Sequence, residues 1–473
     1  MSGRYLRILS AEELTRVHEA SLQLLERVGM RIDHEGARAI LDGAGARVDG
    51  ATGVVRFPPA LVEDKLALVP RTLEYHGRSA EYDIRLEPDG PIYSRVAGGA
   101  TGYNDLASGK WRSARIADMR EFAIVGDALP TIHVTSVLTA EDVPAETSEL
   151  HAVKTLLQHQ RRCIATNALT LENLRAMIEM LVAVRGSREE VVRRPPIHLL
   201  LCMGSPLHIL EDVAAQLLLA CEYGIPTDNP VMPVAGATSP ITLAGTLAQV
   251  NAEFLGSMTL AQSARAGHPM PYFVDPAVGD MRTGGALLGS PENGLLIAAI
   301  MQLGSELYGF PPQGTGLVSD GFDYCQNLFQ KAQNTLFQVM AGGKLIIGAG
   351  NIETVMTFDP VVLTLDDELV RVARRWAAGL SIDDDALALE PIERVGYGGQ
   401  FLDDDHTVEH LRELFDSALF ARGSRDAWTT AGARDLVTVA REKTRSILEK
   451  HEVEPLPEDV VRELDRIVPP VGA

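Results

Sequence analysis

The chain has 473 residues, 46% of them hydrophobic and 23% charged, and a formal net charge of -21. That balance is ordinary globular usage and excludes a disordered or membrane-embedded class. The negative field disfavours nucleic acid and anionic lipid as partners and leaves room for a cationic ligand.

Cys163, Cys202, Cys221 and Cys325 form no C-x-x-C pair, so they read as reduced, scattered thiols of a cytoplasmic protein. The opening MSGRYLRILSAEELTRVHEA has no apolar run long enough for a signal peptide, and no later stretch approaches the length of a membrane span.

Ser10 and Glu13 make an S-x-x-E capping box, after which Leu14, Val17, Leu22, Leu25 and Val28 recur at helical spacing until Gly29 stops the run. A second amphipathic helix is expected around Glu35 to Gly43. Short alternating segments, including VVRFP, TLEYHG and PIYSRVAGGATGYNDLASGKWRSA, then read as small strands and hairpins. Residues 1–130 are therefore expected to be an N-terminal helical and small-strand elaboration.

From Ile132 a short apolar run repeatedly leads into a helical pattern and a turn. The runs begin at Ile132, Arg162, Pro196, Pro230, Pro269, Gly314, Lys344 and Ile392. Eight alternating strand-helix units predict parallel pairing with right-handed crossovers, closed into a (β/α)8 TIM barrel over residues 131–400. An open doubly wound sheet is the alternative, weakened because no G-x-G-x-x-G follows the first strand.

The helix after the fourth run is expected to be capped by Thr238 or Ser239, with Pro240 in its first turn. Its polar trio Gln249, Asn251 and Glu253 is read as packing groups that find buried partners. Residues 401–473 are expected to be C-terminal helices covering one end of the barrel. One of them carries His406 and His410 four apart, capped by Asp405 or Thr407. No H-E-x-x-H is present and no companion ligand is evident, so no metal site is expected there.

In a barrel of this kind the chemistry sits at the C-terminal ends of the strands. Those ends carry Asn167, Ser205, Thr238, Asp275 with Asp280, Ser319 with Asp320, Asn351 with Glu353, and Tyr397. No G-x-S-x-G and no phosphate loop appears. A rim rich in carboxylates and amides suits holding a polar or cationic small molecule.

The stretch FPPQGTGLVSDGFDYCQNLFQK, Phe310 to Lys331, is the one around which the rest is organised: a strand that ends on polar residues and turns straight into a helix. It belongs to an ordered series of motifs with LSAEELTRVHEASLQLLERVGMRI, SPLHIL at Ser205, VAGATSPITLAGTLAQVNAEFL at Val234, D-M-R-T at Asp280, LGSPENGLL at Leu288, G-A-G-N-I-E at Gly348 and VGYGGQFLDDDHT at Val395. In that series the chain resembles the trimethylamine methyltransferase superfamily, in its non-pyrrolysine branch that includes glycine betaine:corrinoid methyltransferases.

The resemblance implies a TIM barrel that moves a methyl group from an amine nitrogen to the Co(I) of a corrinoid (cobalamin) carried by a partner protein. Where family members often show an Asp and a Glu, Tyr324 and Gln330 stand here, and no residue is written as pyrrolysine. Both points argue against trimethylamine itself; the branch resembled implies a quaternary, betaine-like amine.

Asp320 and Glu353 are the candidate catalytic groups. With Asp323 they are the candidates for contact with the cation, while Tyr103, Phe322 and Tyr324 would supply aromatic faces and Gln326 would anchor a carboxylate. Gln330, Lys331 and His406 are the candidates for meeting the corrinoid. A homo-oligomer is expected, and a betaine-binding protein without turnover is the alternative function.

Overall fold

The computed structural model describes residues 6–470; residues 1–5 of the stretch read for a leader lie outside it. Its centre is a seven-stranded parallel sheet made of β1 (Tyr93–Val96), β2 (Ile132–Ser136), β3 (Cys163–Thr166), β4 (Ile197–Leu200), β5 (Thr227–Asp228), β6 (Gln313–Gly314) and β7 (Leu345–Ala349). The spatial order is β5-β4-β3-β2-β1-β7-β6, with β2, β3 and β7 buried along their whole length. Both faces are covered, so burial along the strands is continuous rather than alternating.

The sheet is curled. Strands β1 and β5 lie four positions apart, on the order of 19 Å in a flat sheet, yet the Arg95 guanidinium of β1 donates to the Asp228 carboxylate of β5. An arginine side chain spans that gap only if the sheet wraps round and its inner face becomes an interior. Arg95 is 1% exposed and Asp228 0%. Burial opposes the Asp228 charge, but Arg95 and the hydrogen-bonded His198 hold its carboxyl below the ordinary value.

At the two sheet edges the segment 269–274 makes contact with each. Thr227 N–H donates to the Pro269 carbonyl at 3.2 Å, Gln313 N–H donates to the Tyr272 carbonyl at 3.2 Å, and Phe273 bridges Gln313 in the parallel sense.

A two-stranded hairpin, Leu73–Tyr75 with Ile84–Leu86, plugs the end of the interior where the strands begin. It packs Leu73, Tyr75, Ile84 and Leu86 against Val134, Cys163, Ala165 and Leu345. Tyr75 also stacks on His198 with centroids 3.7 Å apart. With that end filled, the C-terminal ends of the strands are the open ones.

Several expectations hold. The Ser10/Glu13 capping box starts α1 (Ala11–Arg27), and α2 (Leu243–Ala264) lies against it. The buried trio of α2 is fully partnered: Gln249 donates to the Thr238 carbonyl at 2.8 Å, Asn251 to Tyr308 Oη at 2.9 Å, and Glu253 accepts from Leu207 N–H at 2.8 Å. The cap of α2 is Thr242 rather than Thr238 or Ser239.

Other expectations are corrected. The run at Ile392 is no strand but part of an exposed helix, Leu389–Val395, because Leu-Glu-Pro-Ile-Glu-Arg-Val favours a short helix that Gly396 ends at φ 63. PIYSRV, read as a peripheral hairpin, instead supplies β1 in the middle of the sheet. The C-terminal helices Leu436–Lys450 and Glu458–Ile467 pack against helices Pro360–Ala378 and Leu171–Arg185 respectively. Among the described residues no helix is long and apolar enough to cross a membrane.

Removing one member of the Arg95–Asp228 pair leaves a buried charge without its partner. Arg95→Met should therefore lower unfolding free energy by about 3–5 kcal/mol, measured by urea denaturation; a loss under about 1 kcal/mol would mean that the pair does not hold the curl.

Candidate functional site

The loop after β6 turns into α3 (Tyr324–Met340) as the sequence predicts, and its side chains have identifiable work. Asp323 caps α3, accepting from Cys325 N–H at 2.8 Å and Gln326 N–H at 3.0 Å. Asp320 clasps the neighbouring loop: its carboxylate accepts from Leu288 N–H at 2.8 Å and Gly289 N–H at 2.9 Å. Gln330 accepts from Asp320 N–H at 2.9 Å and packs so tightly on Gly289 that a Cβ there would sit 2.4 Å from it. The candidate cation carboxylate Asp320 is thus largely committed to main chain, and the candidate corrinoid contact Gln330 to Asp320.

Lys331 is corrected more strongly. It is fully buried, with Nζ 2.7 Å from the Asp366 carboxylate, which also accepts from Gly350 N–H at 2.8 Å. Burial pushes both groups toward their neutral forms, Lys331 down and Asp366 up. The pair ties α3 to the next helix, Pro360–Ala378, beneath the loop after β7, where no docked partner reaches.

Glu353 and Asp320 are brought onto adjoining loops, zipped by Glu353 N–H to the Gly321 carbonyl at 3.1 Å and Thr354 N–H to the Ser319 carbonyl at 2.8 Å. Glu353, Thr354 and Val355 all have left-handed backbone, φ 56, 51 and 63. For β-branched residues this costs roughly 1–2 kcal/mol each, a strain that proteins keep chiefly at working sites. The Glu353 carboxylate accepts from Thr357 Oγ1 at 2.8 Å.

Of the proposed aromatic faces, Phe322 is 75% exposed beside this loop. Tyr324 is turned to Asp359, donating at 2.9 Å. Tyr103 is wholly buried and donates to Glu121 at 3.1 Å, so its ring is not offered to a ligand. Gln326 is exposed, its amide 3.5 Å from Gln330.

His406 is elsewhere, on the helix Asp405–His410, which Asp404 caps rather than Asp405 or Thr407. Its neighbours there are the Asp385 carbonyl at 3.1 Å and the His410 ring. The supposed isolation of that histidine pair is also corrected, since Asp385 stands beside both.

The interior opening at the strand ends holds a different set. Asp275, at the end of the 269–274 segment, accepts from Thr315 Oγ1 at 2.6 Å. Burial raises its carboxyl to about 6, against the pull of Thr315 and Arg95. Cys202, just past β4, is exposed, yet burial and the negative charge of Asp275 raise its thiol while Arg95 opposes. Cys202 and Asp275 follow β4 and the 269–274 segment at the end of the interior opposite the hairpin plug. Loops leaving the same strand ends carry exposed Met232 and Met356, with Met281 on the loop after Asp275.

The arrangement is a carboxylate in a recess with an apolar rim, suited to a cation that carries methyl groups. Asp275 is visible in sequence as a strand-end residue, though nothing there ranks it above Asp320. Arg95 and Cys202 are missed; the only signal for Arg95 is a charge inside a strand.

Comparison with known proteins agrees across the whole length. The trimethylamine methyltransferase (MTTB) family profile matches residues 2–469. The trimethylamine methyltransferase MttB of Desulfitobacterium hafniense (strain DSM 10664 / DCB-2) is 32% identical over 461 residues, 97% of this chain and 92% of that one. The glycine betaine methyltransferase of Desulfitobacterium hafniense (strain Y51) is 28% identical over 426 residues, 89% and 88% of the two chains. The crystal structure of the Methanosarcina barkeri monomethylamine methyltransferase (MtmB) covers 93% of each chain with a TM-score of 0.51 at 10% identity, a likeness of fold alone.

Two stability outcomes follow from the carboxylates. Asparagine at 320 can accept from only one of the two N–H groups, so Asp320→Asn should cost about 1–3 kcal/mol in urea unfolding; an unchanged midpoint would contradict the clasp. For Asp275 the sign is opposite. Its folded pKa of about 6 exceeds an unfolded value of about 3.9, so folding is penalised as pH rises between those values and fully above them. Asp275→Asn should be more stable than the parent by up to about 3 kcal/mol at pH 8 and equal to it near pH 4; a gap independent of pH would contradict the shift.

Proposed function

This chain belongs to the trimethylamine methyltransferase family and is a methyltransferase, and on that premise we propose that it moves a methyl group from a quaternary, betaine-like amine to the Co(I) of a partner corrinoid protein. The observation that carries the reading is Asp275: a partly water-accessible carboxylate in a recess, hydrogen-bonded to Thr315. We further propose that segment 269–274 is the eighth stave of a closed barrel that includes Tyr93–Val96, that the residues before that strand and the C-terminal helices flank it, and that the protein works in the cytoplasm as a homo-oligomer.

A quaternary nitrogen already carries its positive charge. When the N–CH3 bond breaks, the electron pair stays on nitrogen and a neutral tertiary amine leaves, so this chain need supply no proton. When docked, the corrinoid supplies the nucleophile as Co(I). The residues of the rim fit such a partner: Met232, Met281, Met356 and Phe322 are exposed there and would give a flat macrocycle an apolar seat.

The chain's own work is placement and charge. Asp275 pairs with the ammonium, displacing water around it, and Thr315 fixes the carboxylate's direction. Once Asp275 is ionised, its field favours the cation over the neutral product and so eases release. Glu353, held by its strained turn, adds negative potential at the rim.

The test is incubation with glycine betaine or another quaternary amine and a Co(I) corrinoid protein, following loss of the Co(I) absorbance and formation of the demethylated amine by mass spectrometry. Transfer should rise with pH through about 6 as Asp275 ionises. A charge contact of about 1.5–3 kcal/mol makes kcat/KM of Asp275→Asn roughly ten- to a hundredfold lower. Transfer that is flat with pH and indifferent to Asp275→Asn would refute this site.

A further inference from the structure

From residue 374 to residue 418 no apolar residue is buried. Three helices in this arm, Asp384–Leu387, Leu389–Val395 and Asp405–His410, have four, seven and six residues. Helices that short do not stand alone in water, and a unit without a core of its own ordinarily needs a staple. Part of the hold is polar: Arg394 grips Asp404 through both carboxylate oxygens at 2.8 and 2.9 Å.

A second cluster ties the other pair of helices. His406 and His410 stand one turn apart with ring centroids 4.2 Å from each other. Across from them His410 Nε2 is 3.3 Å from the Asp385 carboxylate, and His406 Nε2 is 3.1 Å from the Asp385 carbonyl. One ligating atom from each of the three lies within 4.8 Å of the others.

We propose that Asp385, His406 and His410 form a divalent-metal site of the zinc type that clips this arm together. Two imidazole nitrogens and a carboxylate oxygen are zinc donors, and bonds of about 2.0–2.1 Å require the exposed Asp385 and the half-buried histidines to close on one another. Glu413 supplies the outer contact: it lies 2.6 Å from His410 Nδ1, which fixes the tautomer that turns Nε2 toward the metal. Water takes the fourth position. The clip joins Asp384–Leu387 to Asp405–His410 and so closes the loop between them, which the Arg394–Asp404 pair spans from the inside.

The site stands apart from the recess at Asp275, and nothing in it depends on the amine. The full-length chain, with any purification tag removed, would be stripped with a chelator, dialysed and titrated with zinc chloride by calorimetry, with bound metal counted by mass spectrometry. One zinc per chain is expected, with Kd below roughly 1 μM. His410→Ala and His406→Ala should each weaken it by about a hundredfold or more, and Asp385→Asn by about tenfold.

Zinc should also slow tryptic cleavage after Arg394 and Arg412 in the parent chain and leave it unchanged in His410→Ala. Because the arm holds no buried residue, the variants should keep the parent's thermal unfolding without metal, which separates loss of the site from loss of the fold. Binding weaker than roughly 100 μM, zinc held equally by His410→Ala, or cleavage indifferent to zinc would each overturn the proposal.

Discussion

A guanidinium with nowhere to go but inward organises this protein. Arg95 sits on an interior strand of the parallel sheet with its charge turned inward, and it is tolerable there only because Asp228 comes round from four strands away to meet it. Desolvating the two charges costs several kcal/mol each, recovered only with good geometry and further hydrogen bonds. His198 supplies one of these at 3.3 Å, and the Phe273 ring lies 5.5 Å from the guanidinium. The same charge reaches the recess above, opposing the rise of Asp275 and Cys202. One residue thereby links the curl of the sheet to the electrostatics of the site.

The acidic residues of the rim divide by what already holds them. Asp320 and Asp323 each accept from two backbone N–H groups, so the charge of Asp320 is spent on holding the neighbouring loop at Leu288 and Gly289 and that of Asp323 on capping α3. Asp275 has a hydroxyl partner and a partly open face, and burial keeps its proton within reach of neutrality. That is a destabilising arrangement in the absence of a cation, and proteins retain such groups where function repays the loss. The left-handed run Glu353–Val355 belongs to the same category of cost.

Much of the architecture is legible in the sequence, because short apolar-rich runs lead repeatedly into helical patterns; Ile132–Ser136, Cys163–Thr166, Ile197–Leu200 and Leu345–Ala349 are found that way. The run PIYSRV escapes because Ser94 and Arg95 interrupt it, and their burial depends on partners 37 and 133 residues away. The run at Ile392 misleads because β-branched and aromatic residues beside glycines look like a strand when no tertiary contact is visible. The site is less legible for the same reason. Lys331 and Tyr103 look like polar groups beside a motif, and only packing reveals that both are sealed in. What sets Asp275 apart from Asp320 is its partners, one hydroxyl against two backbone N–H groups, and a one-dimensional pattern does not carry that. The organising stretch Phe310 to Lys331 does turn from strand to helix, but its polar residues build the floor of the site more than they line it.

The most direct measurement is proton release on ligand binding, taken by calorimetry with glycine betaine in buffers of different ionisation enthalpy. A cation that pairs with Asp275 must drive out the proton held there at a pKa of about 6. The account predicts release of up to about three-quarters of a proton per site near pH 5.5, vanishing by pH 8 where the carboxylate is already ionised, and absent at every pH in Asp275→Asn. Binding of the same amine with no proton exchanged at pH 5.5, or with release that persists in Asp275→Asn, would contradict it.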